Sequence, residues 1–126
     1  MSGPCSNHAV AELHAFRRAA FDAGMTEDDI SEVVTIVSQD PHAGVVIKGT
    51  GGCRKLRIAG KGRGKSGGYR TITFFGGDEL PVFLITVFSK GEKVNLSQKE
   101  RNALVGMTRQ IITAYEMKII RIGTGT

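Results

Sequence analysis

Two runs rich in β-branched and aromatic residues, YRTITFF at 69–75 and PVFLITVF at 81–88, flank Gly76-Gly77-Asp78-Glu79. Such side chains suit a pleated, half-buried surface, and the glycine-rich link between them carries turn chemistry, so the pair predicts a β-hairpin. Residues 45–48 and 53–58 read as two further strands, broken by the glycine-rich stretch 49–52. Ahead of them, Val10, Leu13, Phe16, Ala20 and Phe21 recur at helical spacing, which predicts a helix over about 8–23 ending at Gly24. Thr26 and Asp29 resemble a capping box before the stripe Ile30, Val33, Val34 and Val37, so a second helix follows and stops before Pro41. Ser97 and Glu100 form another capping signature, followed by Leu104, Met107, Ile111 and Tyr115 on one helical face. The expectation is one α+β domain over 1–126: two N-terminal helices packed on a small, mostly antiparallel sheet, then a C-terminal helix, with 118–126 as a flexible tail.

The charge is distributed unevenly. Residues 1–40 carry a net −5, whereas 48–70 hold eight bases and no acid, and the chain sums to +5. Eight of the 17 glycines lie in that same basic block. Like charges packed into a folded segment repel unless a polyanion screens them, so nucleic acid is the expected partner. No apolar run approaches the roughly 20 residues that span a bilayer, and no membrane partner is expected. The N-terminal residues, with His8, Glu12 and His14, lack the basic and apolar regions of a secretory signal. Two cysteines, Cys5 and Cys53, cannot build a disulfide framework, which points to a reducing cytoplasm.

Residues 59–66, AGKGRGKS, fit a relaxed phosphate-loop pattern. A true nucleotide loop leads straight into a helix, and here Gly67-Gly68 and a strand-like run follow, so the match is read as a decoy. Lys61, Arg63 and Lys65 in a glycine-rich loop have a simpler use, since glycine lets the backbone approach a phosphate closely. His8, His14 and His42 show no metal-ligand spacing, and no cofactor is expected.

The stretch 53–93 resembles the RelE/HigB-type toxins of bacterial toxin–antitoxin systems. The residues that carry the likeness are Lys55, Arg57, Ala59, Gly62, the string Gly64-Lys65-Ser66-Gly67-Gly68-Tyr69-Arg70, and then Phe88, Lys90, Glu92 and Lys93. The likeness extends weakly over the first two helices and lapses in about 118–126. It implies helices packed on a small antiparallel sheet with a basic concave face. It also implies metal-independent, ribosome-dependent cleavage of messenger RNA, inhibition of translation, and a cognate antitoxin that covers the basic face. That antitoxin is expected to bring an acidic segment and a helix-turn-helix domain.

In-line attack by a ribose 2′-hydroxyl needs a base, charge stabilisation for the phosphorane and an acid for the 5′-oxygen. Lysine in water, at ~10.4, is a poor base, and crowding by like charges improves it. By resemblance, Arg70 stabilises the transition state, with Lys55, Arg57 and Lys90 as the other catalytic residues. Arg54, Lys61, Arg63, Lys65, Tyr69 and Lys93 are the expected RNA contacts. RelE proper often carries a tyrosine just after the last strand. Here Val94-Asn95-Leu96 stand there instead, so the general base is unassigned. A ParE-like toxin acting on DNA gyrase, or a plain RNA-binding module, are the alternatives.

Overall fold

The protein is described by a computed structural model over residues 7–59, 68–89 and 95–124, with side chains of the last helix described as far as Tyr115. The elements are β1 (Val10–Glu12), α1 (His14–Ala23), α2 (Glu27–Gln39), β2 (Val45–Val46), β3 (Cys53–Ile58), β4 (Tyr69–Phe75), β5 (Val82–Ser89) and α3 (Gln98–Thr124). The strands form one sheet in the order β1-β5-β4-β3-β2, parallel at β1–β5 and antiparallel elsewhere. The α+β reading therefore holds.

Each sheet face has its own core. Phe16, Ala20, Ile30, Val33 and Val37 of α1 and α2 pack against Leu56, Ile58, Tyr69, Leu84 and Val87. On the opposite face Leu104, Met107, Ile111 and Tyr115 of α3 pack against Cys53, Ile72, Phe74, Phe83, Ile85 and Phe88. The stripe read for the C-terminal helix is thus the one that faces this core, with Leu104 buried and the other three half-buried, and Tyr115 meets Phe83 edge-to-face at 5.4 Å.

Local chemistry sets the helix ends. Gly24 takes φ +102°, the left-handed conformation that closes α1 by returning its N–H to the Ala20 and Phe21 carbonyls. Thr26 and Asp29 form a reciprocal capping box at 3.2 and 3.0 Å. Ser97 and Glu100 do the same at 3.1 and 2.8 Å. Helix α3 runs on to Thr124, into the segment expected as a tail.

The first helix is shorter than its spacing predicts. Residues 10–12 form a strand on β5, with Val10 opposite Val82 and Glu12 opposite Leu84, and the Leu13 N–H bonds the Leu84 carbonyl at 3.1 Å. Val10 turns to one core while Ala11 and Leu13 turn to the other, the two-residue alternation of a strand. A short apolar run fits both periods, and an unpaired stretch of β5 decided in favour of the strand.

Candidate active site on the basic sheet face

Strand register decides which of the basic residues share a face. Lys55 lies opposite Ile72, and Arg57 opposite Arg70, while Ile72 and Arg70 lie opposite Thr86 and Phe88 on β5. Two rows result, Lys55–Ile72–Thr86 and Arg57–Arg70–Phe88, two residues apart along the strands. Ile72 and Phe88 belong to the core under α3, so both rows stand on the α3 face of the sheet. Lys55 and Arg70 are half-buried and Arg57 is exposed. Three of the four expected catalytic residues therefore meet on one surface. The fourth, Lys90, lies outside the described residues, as do Lys61, Arg63, Lys65 and Lys93.

The rows depend on an irregularity in β5. Ile72 pairs with Thr86 but Thr73 pairs with Leu84, which leaves Ile85 unmatched. The extra residue is a bulge, and it turns Thr86 onto the α3 face instead of the helical core opposite. No feature of the sequence marks that step, and Thr86 is the site-facing residue that sequence reading missed.

Gly68 sets the start of β4 against the end of β3. Its φ is +64°, and a Cβ there would collide with the Ile58 carbonyl oxygen. Only glycine allows the two strands this approach, directly beside the Arg57–Arg70 pair. The glycine of the Gly-Gly-Tyr-Arg string thus serves the register. Strand β4, not a helix, follows the phosphate-loop-like segment, as the decoy reading requires.

Two expected RNA contacts are corrected. Tyr69 neighbours Arg70 in sequence but points to the opposite face, where it is 1 % exposed in the α1–α2 core. Its hydroxyl donates to the Gly24 carbonyl at 2.8 Å, and burial together with the nearby Asp29 carboxylate raises its pKa. Arg54 also belongs to that opposite face, where it donates to the His42 and Gly44 carbonyls at 3.0 and 3.4 Å. Adjacent residues of a strand alternate sides, and both misassignments have that cause.

The remaining reactive groups hold structural places. The His8 ring nitrogen lies 2.6 Å from the Leu80 carbonyl, and His8 and His42 both meet the Phe75 ring edge-on at 4.9 and 5.1 Å. Cys53 is fully buried, and burial pushes its thiol up from 9.0 to about 11. Among the described residues no group of three or more His, Cys, Asp or Glu is disposed to hold a metal ion, and no helix is long and apolar enough to cross a membrane.

Acid-free strands that present Lys55, Arg57 and Arg70 side by side supply charge for a phosphodiester but no carboxylate pair for hydrolysis of other bonds. A family model for the RelE toxin of the RelE/RelB toxin–antitoxin system matches residues 10–125, from β1 through α3. The match continues through the segment after 118, where the motif likeness lapses. With fold, basic face and family match in agreement, the chain belongs to the RelE toxin family.

Proposed function

We propose that this toxin is a ribosome-dependent endoribonuclease that cuts messenger RNA and stops translation. The observation that carries the reading is the shared face of Lys55, Arg57 and Arg70 in consecutive register rows. A phosphodiester laid across these rows meets two guanidinium groups, which suit the non-bridging oxygens because each offers a fork of donors. As the 2′-oxygen attacks, negative charge builds on those oxygens, and donors already in place stabilise it without reorganising. The 2′-hydroxyl loses its proton to a base, the P–O5′ bond breaks, and the 5′-oxygen takes up a proton. The products are a 2′,3′-cyclic phosphate and a 5′-hydroxyl. Arg70 takes the role of transition-state stabiliser, Arg57 shares the phosphate, and the Lys55 ammonium serves the leaving oxygen. Lys90 and the loop lysines and arginine complete the RNA path in this reading.

Family membership brings an antitoxin partner, and in this reading it covers the same cationic surface by charge complementarity. The test is a translating extract programmed with a defined message. The wild-type protein should cut within the reading frame and leave cyclic phosphate ends, and Arg70→Ala should remove the cuts while its circular dichroism stays native. Intact messages alongside failed DNA supercoiling would replace this reading with gyrase inhibition. Binding without cleavage or toxicity would replace it with a plain RNA-binding module.

A further inference from the structure

Helix α3 carries a cation that lies outside the acid-free block at 48–70. Arg101 is half-buried near the start of this helix, and its Nε is enclosed without a hydrogen-bond partner among the described residues. No described carboxylate forms an ion pair with it. Its neighbour Glu100 faces its own cap, Oε1 accepting the Ser97 N–H at 2.8 Å. Buried donors are nearly always satisfied, so a guanidinium left in this condition calls for an explanation. An acceptor that arrives from outside the protein supplies one.

The position of Arg101 follows from how α3 crosses the sheet. At Gly51, just ahead of β3, a Cβ would meet the Thr108 hydroxyl oxygen at 2.7 Å and the Val105 Cα at 3.8 Å. On the other flank of the helix Ala103, Leu104 and Met107 lie against Thr86 and Phe88 of β5, and Tyr115 meets Phe83 further along. Helix α3 therefore runs antiparallel to β3 and β5. Its first turns stand over the Lys55–Ile72–Thr86 and Arg57–Arg70–Phe88 rows. Arg101, Val105 and Thr108 are spaced by four and three residues, which puts all three on the flank toward β3. From Thr108 back to Arg101 the helix rises about 10.5 Å. From Gly51 to Lys55 an extended chain covers at most ~13 Å, so Arg101 stands at the level of Lys55. Helical side chains lean toward the N-terminus of their helix, which here is the direction of Arg57 and Arg70.

Resting on the nuclease reading above, we infer that Arg101 is an RNA-binding residue, which with Lys55 holds the phosphate next to the scissile one on Arg57 and Arg70. The two rows are two strand residues apart, ~6.7 Å, so an extended RNA strand lays successive phosphates on them. No described carboxylate competes for the Arg101 guanidinium, and no hydrogen bond to its Nε holds the side chain in place, so it swings to the phosphate and presents its fork of donors. Such a contact carries no sequence information. It fixes the register of the strand on the sheet and so brings the attacking 2′-oxygen into line. Helix α3 thereby belongs to the RNA path as well as to the core beneath it.

The probe is a single-stranded RNA oligomer with a 2′-deoxynucleotide at the cut position, which binds without being cleaved. Its affinity should be measured over a range of salt concentrations for the wild type, Arg101→Gln and Arg101→Lys. Arg101→Gln should bind about tenfold more weakly at low salt. The slope of log affinity against log salt should become shallower by about 0.7, the value for one phosphate contact on a single strand. Arg101→Lys should restore the slope, and the loss in Arg101→Gln should be the same for every RNA sequence. An unchanged slope in folded Arg101→Gln overturns the inference, as does a slope that Arg101→Lys leaves shallow. Should Arg101→Gln not fold, Arg101→Met keeps the apolar stem and is judged by the same slope. Failure of both to fold makes Arg101 a structural residue and overturns the inference too. Each of these results leaves the nuclease reading standing, whereas a wild type that neither binds nor cuts RNA removes both.

Discussion

Arg57 and Arg70 stand directly opposite each other in the β3–β4 register. Cross-strand partners hold their Cβ atoms roughly 5 Å apart, and like charges at that position destabilise a sheet. A folding criterion alone would place a threonine or an acid in one of the two sites. Under the proposed function, such a pair is where binding a polyanion takes precedence over stability.

Replacing one member should therefore separate stability from activity. Arg57→Thr keeps a good strand former and removes one charge, so unfolding should become harder by about 0.2–1 kcal/mol. Cleavage should fall at the same time. The stability gain should shrink as salt screens the remaining wild-type repulsion. Urea titrations at low and high salt give the first result, and an RNA cleavage assay the second. A variant both less stable and less active would mean that Arg57 is a structural residue.

Tyr69 offers the reverse separation. Tyr69→Phe leaves the ring in the α1–α2 core but removes the bond to the Gly24 carbonyl at the end of α1. The expected cost is roughly 1 kcal/mol, since a buried acceptor loses its donor. Cleavage per folded molecule should stay at the wild-type level. A large loss of cleavage by fully folded Tyr69→Phe would restore Tyr69 to the RNA surface.

Tyr69, expected on the RNA surface and found in the α1–α2 core, shows what the sequence could and could not disclose. Strands β3 and β4 occupy the segments that their composition marks, because β-branched and aromatic runs bounded by glycines leave little ambiguity. Within them, reading Gly-Gly-Tyr-Arg as one functional string overrode the two-residue alternation that sends Tyr69 inward and Arg70 outward. Expecting Arg54 to contact the same RNA as Lys55 overlooks that alternation too. Those errors were correctable from the sequence. The bulge that turns Thr86 outward was not, because it depends on how β5 meets β4 and leaves no local signature. Nor was β1, whose three residues become a strand only because β5 offers them a partner.

Gly68 ties the register to the chemistry. In Gly68→Ala, both the positive φ and the Ile58 carbonyl oppose the new methyl group. Stability should drop by about 1–3 kcal/mol, the range for backbone strain at such positions. Cleavage should fall beyond what the unfolded fraction explains, because the Arg57–Arg70 row lies next to the strained point. Denaturation curves measured beside cleavage rates test this, and unchanged rates per folded molecule would detach Gly68 from the site.

Alkaline pH should loosen the α3 face through Cys53. Its thiol titrates at about 11 in the folded protein against 9.0 when exposed. Below pH 9 both states hold the proton and the stability contribution is complete. As pH rises from 9 toward 11 the unfolded chain loses the proton first, so stability declines across that window. Tyr69, also raised by burial, adds to the decline above roughly 10. Cys53→Ala should be less stable at pH 8 but show a flatter fall between pH 9 and 11. Equal slopes for the two proteins would exclude Cys53 as the titrating group.

The antitoxin supplies the last expectation. A toxin of this family is restrained by an antitoxin, and under the proposed function the Lys55, Arg57 and Arg70 face is the handle it would use. An acidic segment that is disordered before binding would wrap this face and compete with RNA for the same cations. Reversing the three charges, Lys55→Glu, Arg57→Glu and Arg70→Glu, should slow association with the antitoxin and abolish its salt dependence. Apolar contacts to the helices can keep a complex together even then, so loss of binding is the weaker readout. The decisive one uses single reversals that retain measurable RNA binding, and asks whether the antitoxin still displaces the RNA. Displacement that survives each reversal undiminished would show that neutralisation does not act through these cations.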